Sequence, residues 1–208
     1  MSDYFDNLAD TWDNDPIKIE RSGITAEYCK KAPLKVKNHL LDFGGGTGLL
    51  SVFLRDTFEQ ITIADSSTEM LRVAQEKISE ASITNIQTLK IQDDISEVTG
   101  SYSAIVTLMT LHHINDVDRF LHNAAAILEK NGALIIADLY KEDGSFHSHV
   151  DGYDGHNGFA IDELSEKLQS VGFKVVEVED YFEIRKENPA GDDKVYPLFF
   201  MVAEKVAG

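Results

Sequence analysis

The stretch LLDFGGGTGLL, Leu40 to Leu50, limits what this chain can fold into more than any other part of it. A short apolar run ends in Gly44, Gly45 and Gly46. Gly48 follows, and then Leu49, Leu50, Phe53 and Leu54 at helical spacing. Glycine is costly to order and packs nothing. One or two glycines suffice for a tight strand-to-helix turn, so four predict a backbone that a ligand approaches closely, at a helix N-terminus.

Strand-like and helix-like segments alternate through the rest of the chain. HLLDF, ITIAD (61–65), IQTLKI (86–91), SAIVTLM (103–109) and ALIIAD (133–138) read as strands. Helices are predicted over 47–57, 67–81, 116–129 and 161–171. Ser66 or Ser67 caps the second of these, and Asn131–Gly132 closes the third. FKVVEVEDYFEI and YPLFFMVAEK then follow each other with no helix between them, which predicts an antiparallel hairpin. The expected fold class is α/β: a Rossmann-like doubly wound sheet, mostly parallel, with a C-terminal antiparallel hairpin strand. Residues 1–208 are expected to form a single domain, with residues 1–37 as a helical N-terminal extension.

The formal net charge of −17 argues against nucleic acid or an anionic membrane as partner. Lys30, Lys31, Lys35 and Lys37 read as a solvated face. No apolar stretch approaches the ~20 residues of a membrane span. The acidic N-terminus has no basic and apolar leader pattern, and Cys29, the single cysteine, can form no internal disulfide. These features predict a cytoplasmic protein, monomer or homodimer, that acts on a small molecule.

The dinucleotide fingerprint G-x-G-x-x-G fails, because its third glycine falls on Leu49 or Ser51. That speaks against a nicotinamide dehydrogenase. What is present is D-x-G-x-G-x-G: Asp42, Gly44, Gly46 and Gly48. From about Tyr4 to Lys205 the sequence resembles the class I S-adenosylmethionine (SAM) dependent methyltransferases. The resemblance implies SAM as cofactor. It implies that the loop of Gly44, Gly45, Gly46 and Gly48 holds the methionine part, with Asp42 near the methionine amino group. Asp65 ends the second strand, where a carboxylate can accept from both ribose hydroxyls; Ser66 and Met70 follow it. Asp94 with Ile95, or Asp93 in place of Asp94, would meet the adenine. Leu108 would line the methionine and the reacting centre. The implied activity moves the SAM methyl group to a small-molecule acceptor by in-line displacement. The Asn/Asp-Pro-Pro-Tyr type motif of nucleobase methyltransferases is absent. The alternative is a non-enzymatic SAM-binding or partner-binding protein on the same fold.

Two histidine groups remain. His112 and His113 end the fourth strand, and His113 is the candidate base or substrate-orienting group; the other reading is a polar pair that caps a strand. FHSHVDGYDGH contains His147, His149, Asp151, Asp154 and His156, in a loop of unusual length (140–158). In the resembled family such a loop often builds the acceptor pocket, and His147 is its candidate catalytic residue. With no His-x-x-x-His or Cys-x-x-Cys spacing, these residues read as pocket rather than metal ligands, and no metal is expected. At the N-terminus, Phe5, Leu8 and Trp12 share a helix face. FDNLADTWD resembles the segment that folds over the cofactor in small methyltransferases, which implies a lid.

Overall fold

The structure is a computed structural model that describes residues 2–92, 94–148, 150, 152–187, 191 and 193–206. Its strands are β1 (His39–Phe43), β2 (Gln60–Asp65), β3 (Ile86–Lys90), β4 (Tyr102–Leu108), β5 (Leu128–Leu139), β6 (Phe173–Glu187) and β7 (Asp193–Lys205). They form one sheet in the order β3-β2-β1-β4-β5-β7-β6. β1 to β5 pair in parallel, and β7 runs antiparallel to both β5 and β6. The fold is the expected doubly wound sheet with its terminal hairpin.

Period-two alternation explains how both faces of the sheet are covered. Leu40, Ile61, Ile63 and Val106 point to one face. There they meet α2 (Pro16–Lys31), α3 (Leu49–Leu54) and α4 (Thr68–Glu80), through residues such as Cys29, Leu54 and Ala74. Leu41, Phe43, Ala64 and Ile105 point to the other face. There α5 (Val117–Ile127) and α6 (Ile161–Ser170) contribute Phe120, Leu121, Leu164 and Leu168. Strands buried on both faces read as continuous apolar runs, as these do.

Some element boundaries differ from expectation for local reasons. α3 begins only at Leu49, because Gly48 takes a left-handed conformation at φ 75°. Ser67 caps α4, its hydroxyl accepting from the Met70 N–H at 3.1 Å. α5 ends at Ile127, and Asn131–Gly132 do not cap it: Leu128 is already extended and pairs with Tyr102. Asn131, at φ 61°, sits instead within the first part of β5. The chain starts with α1 (Ser2–Leu8) and a 3-10 turn (Ala9–Asn14) that lead into α2, where Asp15 caps the helix and Pro16 opens it. The YPLFFMV run lies inside the sheet, while the edge strand β6 carries Lys174, Glu177, Glu179 and Asp180, charges of the kind that discourage edge-to-edge pairing.

Phe200 on β7 ties three elements together. It is fully buried, and its ring lies 5.2 Å from Tyr28 of α2 and 5.9 Å from Tyr181 of β6. Phe200→Ala is expected to cost about 3–5 kcal/mol, read as a lower urea midpoint at unchanged slope. A loss below about 1 kcal/mol would mean that the hairpin repacks around the gap.

Candidate functional site

A cavity of about 1000 Å³ opens beyond the C-terminal ends of β1, β2 and β4. The chain leaves β1 toward β2 on one side and returns as β4 on the other, so this is the switch point of the sheet, where α/β folds bind ligands. Gly44, Gly46, Asp65, Ser66, Met70, Asp94, Ile95, Leu108, His113 and His147 all line the cavity. Asp42, Gly45 and Gly48 do not. Asp93, His149 and Asp151 lie outside the described residues.

The glycines serve more than one purpose. A Cβ on Gly45 would stand 2.8 Å from the Asp42 carboxyl carbon and 2.9 Å from Ile63. One on Gly48 would stand 2.7 Å from Ile63 Cδ1. One on Gly44 would collide with the side chain of Thr110. At these positions glycine lets the turn lie against β2 and the β4 end. Only Gly46 looks outward: at φ 55°, its missing Cβ would meet nothing nearer than Met70 Sδ at 3.8 Å. Asp42 lies beneath the turn, 1 % exposed, and accepts from Ser51 Oγ at 2.6 Å. Burial pushes its carboxyl up to about 6.

Asp65 joins the turn to the next helix. Its two carboxylate oxygens accept from the N–H groups of Gly46 and Ser67, each at 2.8 Å. Burial raises its pKa, and these two donors oppose the rise. Asp94 caps the 3-10 turn Ile95–Glu97 by accepting from the Ser96 N–H at 2.8 Å, and it pairs with Arg119 at 2.5 Å. The Ser96 hydrogen bond leads the effects that hold its pKa below the usual carboxylate range.

The N-terminal segment roofs the cavity. Phe5, Leu8 and Trp12 all line it, and the Phe5 ring stands 5.8 Å from Trp12 and 5.7 Å from His113. Acidic side chains hold the roof down. Asp6 accepts from Ser67 Oγ at 2.6 Å and from the Glu69 N–H at 3.1 Å, at the N-terminus of α4. Asp10 pairs with Arg72. Asp13 accepts from Thr47 Oγ1 at 2.6 Å and pairs with Lys77 at 2.5 Å. Part of the negative charge noted in the sequence is thus spent on an internal latch.

The far side of the cavity holds the histidines. His112 is 1 % exposed; its Nδ1 lies 2.5 Å from Asp138 Oδ1, at the end of β5. Its backbone carbonyl accepts from the His156 N–H at 2.7 Å and the Tyr153 hydroxyl at 3.1 Å. His156 also meets the Ile114 carbonyl through Nε2 at 3.0 Å. The loop is therefore pinned across the β4 end. His147 stacks on Tyr153 with ring centres 3.9 Å apart. Burial, aided by His112, pushes His113 down to about 3. Asp138, Tyr153, Arg21 and Lys186 were not singled out in the sequence. Arg21 and Lys186 enter the cavity wall from α2 and β6, and burial, more than nearby Arg21, pushes Lys186 down to about 8. Among the described residues, no helix is long and apolar enough to cross a membrane.

A seven-stranded doubly wound sheet with this switch-point cavity is the architecture of the class I SAM-dependent methyltransferases. The model of the methyltransferase domain family matches residues 20–178, and the chain belongs to that family. An uncharacterized methyltransferase of Schizosaccharomyces pombe is 29 % identical over 154 residues, 67 % of this chain and 54 % of that protein. A ubiquinone biosynthesis O-methyltransferase of Xanthomonas oryzae is 29 % identical over 108 residues, 51 % of this chain and 45 % of its own length. The chain thus spans about half the length of these curated relatives. Among solved structures, a putative methyltransferase of Haloferax volcanii, seen with the activator Trm112, superposes with TM-score 0.76 at 18 % identity, over 98 % of each chain. One from Bacillus halodurans gives 0.72 at 16 % identity, over 88 % of this chain and 98 % of that one.

The buried carboxyl of Asp42 yields a stability prediction. Its folded pKa lies above its unfolded value, so the folded chain binds this proton more tightly. Stability from this group is present below about pH 4 and is lost as pH rises to about 6. Asp42→Asn keeps an acceptor for Ser51 and removes the buried charge. It should equal the wild type near pH 4 and exceed it by up to about 3 kcal/mol at pH 7. Thermal melts across that range check this; an advantage independent of pH would refute the assignment.

Proposed function

We propose that the protein is a SAM-dependent methyltransferase whose acceptor is a small molecule. The observation that carries this reading is the pairing of Gly46 and Asp65 at the switch point, in a chain of the methyltransferase domain family. The residues fit the cofactor. Gly46 leaves its backbone open to the cavity. Each Asp65 oxygen keeps a lone pair beyond its backbone donor, available to a ribose hydroxyl. Ile95, Met70 and Leu108 offer apolar walls, and Asp94 stands beside Ile95 for the adenine end. We assign the cofactor to these residues, with Gly44 and Ser66 on the same wall. Asp42, Gly45 and Gly48 support the turn from beneath.

When bound, SAM supplies a methyl group on a sulfonium, which is electrophilic without further activation. The chain is then left with alignment and exclusion of water. The N-terminal segment, residues 1–37, acts as the lid: Phe5, Leu8 and Trp12 close the cavity and the Asp6, Asp10 and Asp13 contacts keep it closed. His113 and His147 belong to the acceptor half. With its pKa near 3, His113 is neutral at physiological pH and is a poor proton acceptor. It orients the acceptor rather than removing a proton from it.

Trp12 is the single tryptophan of the chain and lines the cavity, so its emission reports on occupancy. Titration with S-adenosylhomocysteine should change Trp12 emission and give a calorimetric isotherm, while NADH gives neither. Absence of S-adenosylhomocysteine binding would overturn the reading. Asp65→Ala should weaken that binding by about 1–3 kcal/mol, roughly 5- to 150-fold. In a separate test, Gly46→Val should lose the ligand and melt at a lower temperature, because a β-branched side chain is strained at φ 55° and enters the cavity. Unchanged affinity in either variant would remove that residue from the site.

A further inference from the structure

The β4 end and the long loop bring three imidazoles together. Each of His112, His113 and His147 offers one ring nitrogen, and the three nitrogens lie within 4.8 Å of one another. Ring centres are 4.1, 5.0 and 5.3 Å apart, and all three residues line the cavity. His112 Nε2 and His113 Nδ1 are buried and have no hydrogen-bond partner. Buried polar atoms are rarely left so, because nothing then compensates their loss of water.

The surroundings bear on which nitrogen of His112 is available. With Asp138 Oδ1 accepting from the His112 Nδ1–H, a neutral His112 ring keeps the lone pair of Nε2 free. Asp138 Oδ2 also accepts from the His112 backbone N–H at 3.2 Å, so ring and backbone are held together. A carboxylate behind an imidazole whose other nitrogen is buried and unpartnered is the arrangement that orients metal-bound histidines. Tyr153 holds His147 from behind by stacking, and its hydroxyl is anchored on the carbonyls of His112 and His156.

We propose that His112, His113 and His147 form a binding site for a divalent metal ion of the zinc class, with a coordination position left open to the cavity. Tetrahedral zinc with nitrogen bonds of about 2.0–2.1 Å needs nitrogens about 3.4 Å apart, so the set closes by up to about 1.4 Å through side-chain rotation. Three histidines with an open position suit an oxygen or sulfur donor as fourth ligand. On the methyltransferase reading above, that donor is the acceptor's hydroxyl or thiol; the metal site itself does not depend on that reading. The proposal departs from the expectation of no metal, which rested on sequence spacing. These ligands come from two separate segments that the fold brings together.

Metal-free protein titrated with Co²⁺ should take up one equivalent with micromolar or tighter affinity and show the visible absorption of a tetrahedral centre, which Zn²⁺ then displaces. His113→Ala and His147→Ala should each weaken Co²⁺ binding at least about tenfold, in variants that keep the wild-type circular dichroism. Asp138→Asn should weaken it as well, through loss of His112 orientation. No binding to the wild type, or binding that survives intact in both histidine variants, overturns the proposal. S-adenosylhomocysteine binding is measured on the same metal-free samples. Cofactor without Co²⁺ defeats the metal site alone, and Co²⁺ without cofactor defeats the methyltransferase reading alone.

Discussion

The Asp65 carboxylate is the contact on which the ligand-binding side of this molecule depends. It sits at the end of β2 and grips two backbone donors, one in the glycine turn after β1 and one at the cap of α4. Beside it, the turn and the helix are joined farther along by Lys77 of α4, which donates to the Thr47 carbonyl at 2.9 Å. Through Asp65, Gly46 is held at a defined height over the sheet, and Ser67 is held where its hydroxyl can cap α4 and reach Asp6. The desolvation of a carboxylate is the cost, and two short N–H bonds offset part of it. The N-terminal roof is built on the same point.

The two halves of the cavity are made by different physics. The β1–β2 half is backbone: a turn so close to β2 that side chains are excluded from it. The β4–β5 half is side chain: rings stacked and pinned by hydrogen bonds to main-chain carbonyls. The first half can recognise a constant ligand with little freedom to vary. The second is built from a loop, which is where specificity is most easily changed without disturbing the sheet.

Much of the fold was legible in the sequence, because strands buried on both faces and amphipathic helices leave strong periodic signals. The strands from HLLDF to ALIIAD were read from apolar runs, and Ser67 from cap chemistry. The switch point followed from topology. Other features were not legible for identifiable reasons. The glycines gave one signal for two tasks, since a missing Cβ serves a ligand and a neighbouring side chain equally well, and only coordinates tell Gly46 from Gly45. The pairing of His112 with Asp138 depends on the register of β4 against β5, where Leu108 stands opposite Ala137. The separation of His112 from His147 hid the cluster, because metal patterns in sequence are local. The helix expected over 116–129 ends at Ile127, because Leu128 is already extended and pairs with Tyr102.

The insertion of β7 between β5 and β6 bears on how the chain is made. Throughout synthesis of residues 140–192, the hydrophobic edge of β5 has no strand beside it, since the one that covers it is the last of the seven to leave the ribosome. Non-local pairing of this kind is slow, and an open apolar edge invites other chains. The polar, acidic character of the segment in between would keep the nascent chain soluble while it waits. A chain halted just short of Lys194 is therefore expected to be a substrate for chaperones rather than a smaller version of the same fold.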